Sequence, residues 1–166
     1  MTTVAVDLQI ASEDDDHPPP ASFEQWVQAA VASHQENVEL TVRIVDEEES
    51  QYLNDRYRGV NKPTNVLSFP ADLPDHIDIP LLGDLIICAP VVAQEAKAQN
   101  KPCLCHWAHM VVHGTLHLLG YDHINDHDAE EMEALEVQIL ASLEIANPYS
   151  INGESADYQR VSLKEV

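Results

Sequence analysis

The stretch HGTLHLLGYDH, residues 113–123, holds three histidines at its first, fifth and eleventh positions. On an α-helix, residues four apart differ by roughly 40° in azimuth and ~6 Å in height, so His113 and His117 project from one face within reach of a single ion. Gly120 can adopt the left-handed conformation that stops a helix, which would turn the chain back and bring His123 to the same point from a third direction. Three neutral imidazoles with an open position suit zinc, and nickel or cobalt would also bind them. Such an ion could acidify a bound water or polarise a phosphoryl oxygen. The plain alternative is packing of the three histidines without an ion; their number and spacing around a terminating glycine favour the metal. His109, four residues before His113, could extend the same face, but three ligands already complete a site and leave it a core or supporting role. His106 and His127 are expected to face solvent, and His17, His34 and His76 lie in polar contexts.

The spacing H-x-x-x-H-x-x-G-x-x-H is also that of the metzincin zinc proteases. Those enzymes carry a glutamate directly after the first histidine as general base, whereas here that residue is Gly114. A peptidase reading therefore lacks its catalytic carboxylate.

The elements that must position these histidines follow from periodicity. TVAVDLQI, residues 3–10, alternates as a half-buried strand does, and VELTVRIVD, 38–46, predicts a second strand. Ser22 and Gln25 form a capping-box pattern ahead of an amphipathic helix over 23–36, and Asp46 with Glu49 predicts another capped helix ending near Gly59. A short strand is expected at 65–70, a buried one in LLGDLIICA, and a helix in PVVAQEAKAQ opened by Pro90. LCHWAHMVVHGTLHLL has too few polar residues for a surface helix, so it is expected to be central and to end at Gly120. A last helix starts near Asp126 with Met132, Leu135, Ile139 and Leu143 on one face, and the residues after Asn147 are polar and aperiodic. About four strands and five helices predict an α/β (α+β) fold with a small mixed sheet and the metal site at the end of a central helix. One domain over residues 1–149 and a flexible tail over 150–166 are expected; strand order is not readable.

The chain has 166 residues, is 45% hydrophobic and carries a formal net charge of −21. No run approaches the ~20 apolar residues of a membrane span, and no leader pattern is visible, so a cytoplasmic protein without a membrane partner is expected. Cys88, Cys103 and Cys105 form neither a paired framework nor a Cys-x-x-Cys site, which fits reduced thiols. The strong negative charge argues against general nucleic-acid affinity. Yet Arg56, Arg58 and Lys62, three of only eight basic residues, fall within RYRGVNK. Exposed charges beyond ~8 Å are largely screened at physiological salt, so a local phosphate site can survive the negative total. Arg56 could equally be a helix-end cation favoured by the helix dipole; Arg58 and Lys62, beside the turn NKPTN, fit a phosphate better.

HWAHMVVHGTLHLLGYDH, together with the upstream YRGVNKPTNVLSFP and LLGDLIIC, resembles the YbeY endoribonuclease family of bacterial rRNA-maturation factors, in the same order and over residues 3–149. The resemblance implies a single-strand-specific, metal-dependent endoribonuclease acting in 16S rRNA 3′-end maturation and ribosome quality control. Its partners would be rRNA, the small ribosomal subunit and ribosome-associated proteins, with no DNA. His113, His117 and His123 would bind one metal, usually zinc, with His113 and Arg58 catalytic. Arg56, Lys62, Thr64, Asn65 and Ser68 would contact substrate. The acidic segment near residues 13–20 and the tail after Tyr149 depart from the family pattern. Asp84 reads better as a turn residue at the start of a strand than as a catalytic group. The general base stays open between a metal-activated water, Asp122 and the RNA 2′-hydroxyl, and Asp122 could instead orient a neighbour or cap a turn. Two other functions fit some of the residues: a zinc metalloprotease-like hydrolase, and a non-catalytic ribosome-assembly factor with a structural metal.

Overall fold

The computed structural model describes residues 3–13, 16–32, 37–74, 80–121 and 125–149. Its elements run β1 (Thr3–Ile10), α1 (Pro20–Val31), β2 (Asn37–Val45), α2 (Glu47–Arg58), β3 (Val66–Pro70), β4 (Leu81–Cys88), α3 (Ala89–Ala98), α4 (Cys103–Leu118) and α5 (Asp126–Ser142). The four strands form one mixed sheet in the order β1-β2-β4-β3, parallel except where β3 runs antiparallel to β4.

The strands' alternation divides the core in two. Val38, Leu40, Val42 and Ile44 of β2, Val66 of β3, and Leu85 and Ile87 of β4 face one side. There α1 and α4 pack through Phe23, Trp26, Val27, Trp107, Met110 and Val111. Val45, Leu67, Ile86 and Cys88 face the other side, with Val91 of α3 and the partly buried Leu53 of α2 and Phe69 of β3. Full burial of one such aliphatic side chain contributes about 1.5–3 kcal/mol, so α4, buried almost continuously from His106 to Leu116, is the best-anchored helix. α5 packs on α4, completing the helical side.

Several local details differ from expectation. α1 begins at Pro20 rather than Phe23, with Pro19 as its cap and no Ser22 side-chain cap, because proline already supplies the φ a first helical turn needs. Asp46 caps α2 by position only, its carboxylate being taken by the Ser12 hydroxyl and the Glu13 backbone N–H. Asp84 lies within β4, paired with Thr41 and Phe69, not at a turn. The tight position is its neighbour Gly83, at φ 145°, where a Cβ would sit 2.2 Å from the Phe69 carbonyl oxygen.

Candidate metal centre and active site

Helix α4 carries His106, His109, His113 and His117 at steps of three and four residues, so all four imidazoles share one stripe. Successive ring centroids are 6.1, 6.2 and 4.7 Å apart. The helix closes with the Gly120 N–H on the His117 carbonyl and the Tyr121 N–H on the Leu116 carbonyl, both 3.0 Å, with Gly120 at φ 105°. This double cap is the left-handed stop expected of that glycine. His123 and Asp122, expected next to it, lie outside the described residues, as do His34 and His76.

The two nitrogens of His113 have different neighbours. Its Nε2 stands 3.0 Å from Nε2 of the half-buried His117. Two nitrogens sharing one tetrahedral ion at bonds of ~2.0–2.1 Å stand about 3.3 Å apart, so this convergence suits a common ligand. Nδ1 of His113 is hydrogen-bonded to Oε1 of Glu136, on α5. Glu136 is fully buried and accepts from the Tyr149 hydroxyl at 2.8 Å, while His109 Nε2 lies 3.3 Å from its Oε1 and 3.1 Å from Tyr149 Oη. Burial pushes the Glu136 carboxyl up, but the charge of His113 and the hydrogen bonds from His109 and His113 outweigh it and hold the group ionised, well below the usual carboxylate range. His109 is pushed down to about 4 by burial, against the pull of Glu136, and is neutral near pH 7. An acceptor-only carboxylate requires a proton on the nitrogen facing it, so His113 donates from Nδ1 to Glu136, and its Nε2 is the nitrogen directed toward His117.

His109, His113 and Glu136 also offer one ligand atom each within 4.8 Å of one another, a buried group that could hold a metal ion. Sequence reasoning missed Glu136 entirely. The available signal was a carboxylate four residues after Met132 and three before Ile139, on the apolar face of α5. Beside His109 a cavity of about 160 Å³ opens between Lys101, Cys105, Leu140 and Pro148.

His106 is not solvent-facing: it is fully buried, its Nε2 2.7 Å from Oε1 of Glu95 on α3. Burial lowers its basicity, opposed by that hydrogen bond. The same carboxylate accepts from the Asn65 amide at 3.1 Å, and the Asn65 Oδ1 accepts from the Val66 N–H at 2.6 Å. Asn65, expected to contact substrate, is thus wholly occupied inside the fold. His127 is exposed, as expected.

The remaining positions lie around the end of α2. Arg58 is its last residue and half-buried, Arg56 and Lys62 are exposed, and Gly59 at φ 72° turns the chain out of the helix. The following loop is tied back to α2, by Asn54 donating to the Lys62 carbonyl at 2.8 Å and by Ser50, whose hydroxyl donates to the Thr64 carbonyl and accepts its N–H. Thr64 and Ser68 are buried, and the Ser68 hydroxyl donates to the Gly114 carbonyl at 3.3 Å. Edge strand β3 therefore abuts α4 beside His113.

Gly114 itself faces the sheet. A Cβ there would stand 2.8 Å from Leu85 Cδ2 and 3.2 Å from Ser68 Oγ. A glutamate at this position would point into β3 and β4 rather than into the histidine site, which explains in packing terms why the protease carboxylate is missing.

A four-stranded α/β fold with a metal-capable group of two histidines on its central helix and a glutamate on the helix packed against it defines a small protein built around a buried polar centre. The profile of the YbeY endoribonuclease family matches residues 9–144, and the chain belongs to that family. Membership supports an RNA-cleaving hydrolase of rRNA processing. The solution structure of TM1509 from Thermotoga maritima is similar, with a TM-score of 0.55 and 25% identity over 82% of this chain and 91% of that one. Among the described residues, no helix is long and apolar enough to cross a membrane.

Proposed function

We propose that this chain is a single-strand-specific, metal-dependent endoribonuclease that matures the 3′ end of 16S rRNA and serves ribosome quality control. It would act in the cytoplasm on the small ribosomal subunit, through one catalytic domain spanning residues 1–149. The observation that carries the metal part is the pairing of His113 and His117 through Nε2 at 3.0 Å, with Glu136 holding the other nitrogen of His113. In this reading His113, His117 and His123 hold zinc or a related divalent ion, and Glu136 orients a ligand rather than binding the ion itself. The hydrogen bond already made by His113 Nδ1 favours this over an ion among His109, His113 and Glu136.

When bound, the ion supplies Lewis acidity toward a water or a phosphoryl oxygen. The chain's own residues do the rest. Arg58, on a helix end rigidly tied to the β3 loop, neutralises charge growing on the phosphoryl oxygens, and Arg56 and Lys62 hold neighbouring phosphates. Family membership supports RNA over peptide as substrate, and so does the placement of Gly114 against the sheet.

The test is cleavage of a structured rRNA fragment bearing a single-stranded 3′ extension by wild type, Arg58→Ala and His113→Ala, each checked for fold and metal content. Wild type should cut the extension; Arg58→Ala should keep its metal yet lose cleavage, and His113→Ala should lose both. Equal cutting by all three, or none by wild type, sinks the nuclease reading and leaves an assembly factor with a structural metal.

A further inference from the structure

Two of the large apolar or aromatic side chains left exposed among the described residues lie on α2, five residues apart: Tyr52 is 61% exposed and Tyr57 59%. A lone exposed ring is ordinary, whereas exposed rings that share a neighbour on one helix mark a binding surface more often. Arg56 lies between them. Its guanidinium carbon is 5.6 Å from the centroid of the Tyr57 ring, and Tyr52 precedes it by one helical turn on the same side of α2. The Tyr57 ring also rests edge-on against Phe69 of β3, with centroids 5.3 Å apart and planes at 71°. The ring is therefore propped from two sides while more than half of its surface stays open.

The charge at the Tyr57 end of this helix is unlike that of the chain as a whole. The first turn of α2 is acidic, with Glu47, Glu48 and Glu49, but from Arg56 to Lys62 there are three cations, Arg56, Arg58 and Lys62, and no acid, in a chain of net charge −21. Aromatic rings interleaved with arginine in a locally positive strip match the way unpaired bases are held, by stacking on rings and guanidinium planes while cations follow the phosphates. A base paired inside a duplex has both faces covered and cannot use such a surface. The cluster is also connected to the histidine centre through one strand: Phe69 faces α2, while its neighbour Ser68 faces the opposite side and bonds the Gly114 carbonyl next to His113.

We propose that Tyr52, Arg56 and Tyr57 form a stacking platform for unpaired RNA bases, which gives the enzyme its preference for single strands. This rests on the endoribonuclease reading and adds to it the residues that select substrate. A strand would cross the β3 edge, with bases on the α2 platform and a phosphate at Arg58.

The experiment compares binding of two labelled 12-nucleotide probes, a 2′-O-methyl oligoadenylate and the same backbone without bases, by fluorescence anisotropy with the full, metal-loaded chain. Stacking loss at one ring should weaken oligoadenylate binding about tenfold in Tyr57→Ala, and similarly in Tyr52→Ala, while Tyr57→Phe stays close to wild type. Binding of the baseless probe should be the same for wild type and both alanine variants. Because Tyr57 touches Phe69, each variant's melting temperature is recorded, and Tyr52→Ala provides a ring outside that contact. If both alanine variants bind oligoadenylate as wild type does, or lose both probes equally, the platform is overturned while the nuclease reading stands, and the rings belong to a protein-binding surface or to folding. If wild type binds neither probe, the RNA reading falls with it.

Discussion

Glu136→Gln is the substitution whose outcome the geometry fixes most tightly. In the native protein the carboxylate faces His113 Nδ1, His109 Nε2 and the Tyr149 hydroxyl, all buried. Glutamine keeps the shape but offers one acceptor oxygen and an N–H₂ group, so the site loses its charge and one donor is left facing another. A hydrogen bond to a charged group contributes about 1.5–3 kcal/mol and a neutral one about 1, so the hold on the Nδ1 proton weakens by about 1–2 kcal/mol. At 1.4 kcal/mol per factor of ten, zinc affinity should fall roughly tenfold, within the 10- to 100-fold range usual for residues that orient metal ligands. The assay is competition for Zn²⁺ against a chromophoric chelator, with circular dichroism to verify folding. His117→Ala, measured alongside, removes a ligand outright and should cost far more. An unchanged affinity in His117→Ala, with binding abolished in Glu136→Gln, would move the ion to the His109, His113 and Glu136 group and refute the reasoning.

Acid should destabilise the metal-free fold in two steps. His109 has a folded value of about 4, below its unfolded value near 6.5, so between those limits the unfolded chain binds a proton that the folded one does not. Stability therefore falls as pH drops, by ~1.4 kcal/mol per unit and about 3 kcal/mol across the window. Glu136, depressed below its ordinary value, contributes stability that is present above its unfolded pKa and is lost only as pH falls through its lower folded one. Urea unfolding with chelator from pH 7 to pH 4.5 should show the first slope; a flat profile contradicts it. Asn65→Ala strips a donor from buried Glu95 and leaves the Val66 N–H without its acceptor, so urea melts should show a loss of about 1–3 kcal/mol. Lys62→Ala, at an exposed position, should leave that midpoint unchanged and weaken RNA binding instead. Gly114→Val overpacks against Leu85 and Ser68 and should cost about 1–3 kcal/mol, or roughly 2–12 °C in Tm, and a wild-type melting curve would show that α4 can shift off the sheet.

The fold was largely legible because its signals are local. Alternation marked β1, the unbroken apolar character of HWAHMVVHGTLHLL marked the central helix, and Gly59 and Gly120 marked helix ends that do lie at positive φ. Strand order was not legible, since β3 and β4 are placed by packing against α2 and α4 rather than by anything in their own residues. In the site, the spacing of His113 and His117 predicted a shared face because that is helix geometry. What could not be read was the polar interior. His106 was assigned to solvent because its partner Glu95 lies on another helix and is brought to it only by tertiary packing. Glu136 was hidden for the same reason, and Asn65 could not be separated from its surface neighbours in NKPTN. A buried charge is legible only as a breach of an apolar pattern, and at Glu95 and Glu136 that breach was present but unexploited.

The most direct test is the position of the ion itself. Crystals of the zinc-loaded protein, measured on both sides of the zinc absorption edge, should show one anomalous peak about 2.0–2.1 Å from Nε2 of both His113 and His117, with Glu136 still on Nδ1 of His113. A peak bonded to Glu136 and His109, or no peak at the histidine stripe, would contradict the account.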